Sequence, residues 1–252
     1  MATPGVYKTP LIILPLMPYA AHGVTHTGRR PSNEDALLVD PSIGLFVVAD
    51  GMGGHRAGEI ASGLAIDTIR DVMKGEAPTG DLLCHAVECA NDQILAAASQ
   101  NPEHAGMGTT VTAVLVTDGE LEFVNVGDSR MYRWRSGIVT QLTRDDSWLS
   151  HARANGTEIS DDEARRHPMR HVLTDVVGVR PELSPELQVA PVHAGDTLVL
   201  CSDGFHGAVT AERLAAILDT YPEPTASAAR LVQEALDHGA TDNITVIVVR
   251  CP

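Results

Sequence analysis

Apolar positions change their spacing several times along the chain, and each change predicts an element. The run "GLFVVAD" (44–50) is continuously apolar until it meets an acid, the pattern of a strand covered on both faces. Segments 19–28 and 36–40 predict two further strands before it. From 59 to 73 the composition turns helical, and then Leu83, Val87, Ala90, Ile94 and Ala97 recur at steps of three and four, which marks one face of a second helix. Four segments, 109–118, 120–128, 129–135 and 137–142, read as strands separated by turn residues such as Asp118-Gly119 and Ser136-Gly137, and together predict an antiparallel meander. Residues 143–180 lose all periodicity, carry many charges and offer only short helical stretches, as a surface insertion does. A strand over 196–204, amphipathic segments at 210–219 and 225–238, and a last strand over 243–250 complete the series.

Strands, a helix pair, strands, a helix pair and a final strand predict an α+β domain in which helices cover stacked antiparallel sheets. The one stretch that imitates a targeting signal is "LIILPLMPYAA" (11–21). Pro15 and Pro18 break it and it is too short to span a bilayer, so an ordered edge segment or extra strand is expected, with a cryptic signal peptide as the alternative.

Charge narrows the function. Over 252 residues, 33 acids against 18 bases give a formal net charge of -15, which disfavours nucleic acid and anionic membranes as partners unless cations intervene. The 4 cysteines have no C-x-x-C spacing and read as reduced thiols, which places the expected location in the cytoplasm.

The acids are not spread at random. Asp50, Asp128, Asp203 and Asp242 each stand at the end of an apolar strand or just before one, in "VVADG", "VNVGD", "LVLCSDG" and "ATDN". A carboxylate there costs free energy unless it is paired or binds a cation, and few bases are near enough in sequence to pair them all. Several acids without thiolates or paired histidines suit hard cations such as magnesium or manganese. Gly51, lacking a side chain, would let its carbonyl approach an ion. Taken singly, each Asp-Gly is also a common turn pair. In the loop "RRPSNEDA" (29–36), Arg30 and Glu34 read either as a surface ion pair or as a phosphate clamp and a metal partner.

In order, "RRPSNED", "VVADGMGGHRAGE", "GMGTTVTAVLV", "VNVGDSRMYRW", "LVLCSDG" and "TDNITVIVV" resemble the metal-dependent PPM (PP2C-like) serine/threonine phosphatases of bacterial type, over about residues 19–250. The resemblance implies an αββα sandwich over 19–252, an N-terminal extension over 1–18 and a flap insertion at about 143–180. It also implies hydrolysis of phosphoserine or phosphothreonine by direct attack of a metal-bridging hydroxide. Carried over by position, Asp50 bridges two manganese or magnesium ions, Gly51 lends its carbonyl, Asp203 and Asp242 hold the first ion, and Glu34 binds water on the second. Arg30 clamps the phosphate, and Asp128 with Asp203 holds a weak third ion. The implied partners are phosphorylated proteins, among them a serine/threonine kinase or its substrates, and the chain is expected to be a monomer.

Three departures from the pattern stand out. Gly207 replaces a second aspartate in "SDGFHG". Met52 stands where other relatives place a histidine, leaving His55 as the nearest candidate general acid. Asp175 in "RHVLTDVVG" replaces a base, which would make the substrate face more acidic and favour basic phosphopeptides. The remaining histidines, His171 among them, lack metal spacing and read as surface or structural. Trp134 reads as core, and Trp148 as packed under the flap or against substrate. Two other classes stay open: a non-catalytic phosphopeptide-binding module and a phosphatase of a small phosphorylated metabolite.

Overall fold

The computed structural model describes residues 19–53, 57–75, 77–117 and 119–251; residues 11–18 of the segment expected over 11–21, His55 and Asp118 lie outside them. In chain order the elements are strands β1 (Ala20–His26), β2 (Asp35–Asp40) and β3 (Leu45–Met52), then helices α1 (Ala57–Met73) and α2 (Gly80–Gln100). Strands β4 (Gly108–Thr109), β5 (Val111–Thr117), β6 (Glu120–Val126), β7 (Arg130–Arg135) and β8 (Ile138–Gln141) come next. Short helices α3 (Trp148–Ala154) and α4 (Asp161–Arg166) precede β9 (Gln188–Pro191) and β10 (Thr197–Cys201). Helices α5 (Asp203–His206), α6 (Ala211–Thr220) and α7 (Pro224–Asp237) and strand β11 (Ile244–Arg250) end the chain.

The strands form two sheets, β1-β11-β10-β7-β8 and β2-β3-β5-β6-β9, with β4 paired to β3, and every named pairing is antiparallel. Alternation along each strand sorts the side chains into layers. On β3, Leu45, Val47 and Ala49 pack with α1 and α2, whose apolar faces supply Ala61, Ala65, Ile69, Leu83, Val87 and Ile94. The opposite face of β3, Phe46 and Val48, meets Leu198, Leu200, Ile247 and Val249 of the other sheet. The outward residues Val199, Cys201, Val246 and Val248 lie under Leu214, Ile217, Leu231 and Ala235 of α6 and α7. The result is the expected four-layer sandwich, helices outside and two sheets within.

The expected meander is divided. β5 pairs with β6, and β7 pairs with β8, but β6 continues onto β9 and β7 onto β10 in the other sheet. The crossing is at Gly127, whose φ of +102° bends the chain out of the first sheet. Phe123 and Met131 on either side of it share the inter-sheet core, so alternation looks unbroken across the change of sheet. By contrast, Ser136 and Gly137 take φ of +50° and +83°, the two-residue turn that closes the β7–β8 hairpin as expected. β9 is too short and half-exposed to have an alternation signal and was not expected.

Candidate active site

Continuing the parity of β3, Asp50 lies on the same face as Phe46 and Val48, where the inter-sheet layer reaches its end. The neighbouring strands turn polar at the same level. Asp35 of β2 stands opposite Asp50, and Thr245 of β11 precedes the inward Ile247. Buried hydroxyls bind this end together. Thr110 Oγ1 accepts from the Asp50 amide at 3.0 Å and meets Ser129 Oγ at 2.7 Å, while Ser202 Oγ and Thr245 Oγ1 donate to Asp35 Oδ2 at 2.8 and 2.7 Å.

The loop that carries Arg30 and Glu34 is fixed by one side chain. Asn243 Nδ2 donates to the carbonyls of Thr27 and Ser32 at 2.9 Å each, and its Oδ1 accepts from the Glu34 amide at 2.8 Å. The glycines of the two Asp-Gly pairs have a packing reason. A Cβ on Gly51 would stand 2.0 Å from the Gly58 carbonyl oxygen, and one on Gly204 2.0 Å from that of Asn243. Only hydrogen fits at either position, whatever the Gly51 carbonyl faces.

Arg30, Glu34, Asp50, Gly51, Asp128, Asp203 and Asp242 line a single cleft of about 540 Å³. Every site residue expected from the sequence is in it except His55, which lies outside the described residues. Arg30 Nη2 donates to Asp242 Oδ2 at 2.6 Å, and this hydrogen bond and charge raise the guanidinium pKa. Asp242 Oδ1 accepts from the Asn243 amide at 2.8 Å.

The carboxyl groups repel one another. Burial, then the charges of Asp35, Asp203, Asp128 and Asp242, holds Asp50 well above the usual carboxylate range. Burial and Asp242 raise Asp203, which is partly relieved by a hydrogen bond from Asp50. Burial, then Asp203 and Asp145, pushes Asp128 up to about 7 against the pull of Arg130. Burial raises Glu34 while Arg30 opposes it.

Among the described residues no three Asp, Glu, His or Cys side chains are oriented closely enough to ligate one ion. Asp242 is turned to Arg30. The donor set nevertheless fits hard cations: oxygen ligands only, mutually repelling, with Asp35 Oδ1 buried and without a hydrogen-bond partner beside Asp50.

Three residues of the site were not singled out from the sequence. Asp35 is the second acid of "NED", and its signal was the short hairpin that sets it opposite Asp50. His206 places Nε2 3.0 Å from the Asp128 carbonyl, a donation from an imidazole that burial lowers to about 4. His171, read as surface or structural, lines the cleft from the flap and lowers the pKa of Asp203. Met52 is 40% exposed on the rim, and Gly207 offers no ligand beside Asp128 and Asp203. Asp175 is engaged by Arg180 at 2.5 Å and lines a separate depression with Asp146 and Arg144, so its charge is not presented to the cleft. Trp148 stacks on His167 at 4.7 Å within the flap, and the Arg250 guanidinium lies 5.5 Å from the Trp134 ring centroid.

Comparison with known proteins shows which sequences and folds the chain is similar to. The serine/threonine protein phosphatase PstP of Mycobacterium tuberculosis is 40% identical over 222 residues, 87% of this chain and 42% of that protein, so the chain spans about two fifths of that relative. The crystal structure of Stp1, a serine/threonine phosphatase from Staphylococcus aureus, superposes with a TM-score of 0.87 at 33% identity, covering 93% of this chain and 95% of that one. The catalytic domain of PstP in complex with two manganese ions superposes with a TM-score of 0.81 at 35% identity, covering 92% and 98%. The family model for protein phosphatase 2C matches residues 22–238, and the chain belongs to that family.

Proposed function

We propose that this chain is a serine/threonine protein phosphatase that depends on two divalent cations, manganese or magnesium. The observation that carries the reading is the convergence of Asp50, Asp203 and Asp242 with Arg30 in one cleft at the end of the inter-sheet layer. Asp50 would bridge the two ions with the Gly51 carbonyl beside it, Asp203 and Asp242 would complete the first site, and Glu34 would serve the second through water. Asp128 and Asp203 would hold a weak third. When bound, such ions neutralise phosphoryl oxygens and acidify a water molecule. The chain's own residues supply the rest. Arg30 is exposed enough to leave Asp242 and grip two phosphate oxygens. Glu34, over the first turn of α1 at Gly58, is held in place by the Asn243 bond to its amide. His206 fixes the Asp128 main chain.

The cleft is open, and Met52, Val172 and Val179 leave apolar surface along it. That favours a phosphorylated side chain presented by a protein over an enclosed small metabolite. Phosphoproteins, among them a serine/threonine kinase or its substrates, are the proposed partners. Residues 19–252 are the proposed catalytic unit, acting as a monomer in the cytoplasm; no helix among the described residues is long and apolar enough to cross a membrane. Turnover of p-nitrophenyl phosphate and of a phosphothreonine peptide, with and without manganese, tests the reading. Manganese-dependent release of phosphate from both is expected. Peptide binding without release would make the chain a phosphopeptide-binding module instead.

A further inference from the structure

A second depression, of about 660 Å³, adjoins the cleft at Asp128 and Asp203. It shares those two acids and His171 with the cleft, so a peptide lying across the site reaches both. Its character is different. Arg144, Arg153 and Arg170 line it, with the seryl side chains of Ser147 and Ser150, on a chain whose net charge is -15. Its other acid, Asp145, is taken by Arg130 through paired contacts of 2.9 and 2.7 Å. Among the described residues neither Arg144 nor Arg170 has a carboxylate within ion-pair distance, although Arg144 also borders the neighbouring depression and lies near enough to Asp146 to lower its pKa. Arg153 is held in position by donations to the Ile159 carbonyl at 3.2 and 3.0 Å. Two guanidinium groups without a carboxylate partner among the described residues, Arg144 and Arg170, on the flap side of an acidic protein and beside the reacting centre, suit an anion carried by the substrate itself.

We propose that this depression is a subsite for a second anionic group on the substrate peptide, a phosphate monoester or a carboxylate a few residues from the phosphoamino acid being hydrolysed. The proposal rests on the phosphatase reading above and runs against the basic-peptide preference expected from Asp175, whose charge Arg180 neutralises. Its consequence is a preference for multiply phosphorylated or acid-flanked segments, with the order of dephosphorylation set by which phosphate the arginines hold.

The test compares three peptides of one sequence carrying phosphothreonine alone, with a second phosphothreonine, or with glutamate at that second position, together with p-nitrophenyl phosphate. With manganese, kcat/KM for the doubly anionic peptides should exceed that for the single one by about two- to fivefold, the range for ion pairs between partly exposed groups. The preference should shrink as salt is raised from low to physiological ionic strength. Arg144→Ala and Arg170→Ala should each reduce it while leaving p-nitrophenyl phosphate turnover unchanged. A gain from phosphate alone, or from phosphate and glutamate alike, assigns the anion the subsite takes. Equal kcat/KM for all three peptides in the wild-type protein overturns the subsite and leaves the phosphatase reading standing. Absence of turnover of every substrate, p-nitrophenyl phosphate included, overturns the phosphatase reading instead.

Discussion

Arg30 and Asp242 are joined at 2.6 Å across 212 positions of sequence, so the cation assigned to phosphate and a carboxylate assigned to metal are each other's partners. In the proposed reading the pair would keep both groups at the cleft, Asp242 available to a cation and Arg30 to a phosphate.

Arg30→Ala follows from that pairing. Losing charge-assisted contacts worth about 1.5–3 kcal/mol should lower kcat/KM by roughly 10- to 100-fold, chiefly through KM. Manganese affinity should not weaken, because Asp242 is released rather than removed. Steady-state kinetics beside a manganese titration checks both halves; an unchanged kcat/KM would return Arg30 to a surface ion pair.

Asp50→Asn separates function from stability. The variant removes the carboxyl whose ionisation is opposed by burial and by Asp35, Asp203, Asp128 and Asp242, while keeping the side-chain shape. In chelator it should melt higher than wild type by several degrees, on the order of 1–2 kcal/mol. Its turnover should fall to background. A lower melting temperature in chelator would mean that the acids do not repel as described.

The pH dependence has a definite sign. Asp35 titrates at about 6 and Asp128 at about 7 in the fold, both above the ordinary value near 3.9. Between those limits the folded chain binds more protons than the unfolded one, so their contribution is present at low pH and lost as pH rises through 6 and 7. In chelator the melting temperature should therefore fall from pH 6.5 to pH 8, above the range in which His206, lowered by burial to about 4, contributes with the opposite sign. Stabilisation by manganese should grow over the same range, because protons compete with the ion for these oxygens. A melting temperature in chelator that rises to pH 8 contradicts the assignment.

Glu234 offers a test away from the site. Its side chain on α7 is 1% exposed and is held by Arg213 of α6 at 2.6 Å and by Arg230. Glu234→Ala should cost about 1–3 kcal/mol, less than a fully buried pair because both arginines retain access to water. Turnover at saturating manganese should be unchanged. Chemical denaturation and kinetics on the same sample separate the two effects.

Much of this was legible in the sequence because it is local. The apolar run 44–50 fixed β3 and set Asp50 at its end, and the spacing of Leu83, Val87, Ala90 and Ile94 marked the buried face of α2. What escaped depends on partners distant in sequence. Nothing in the alternation around Gly127 tells a hairpin from a change of sheet, because Phe123 and Met131 face the same core either way. Asp35 looked like a loop acid until strand register set it against Asp50, and His206 and His171 join the site through folding of remote segments.

The most direct test of the central claim is calorimetric titration of manganese into the wild-type protein and Asp50→Asn, with phosphopeptide turnover followed in the same solutions. The account predicts two sites filled before any weaker third in the wild type, activity that rises with their filling, and the loss of both sites and of activity in Asp50→Asn. Wild-type turnover that persists in chelator, or an Asp50→Asn variant that keeps two ions and full activity, would contradict it.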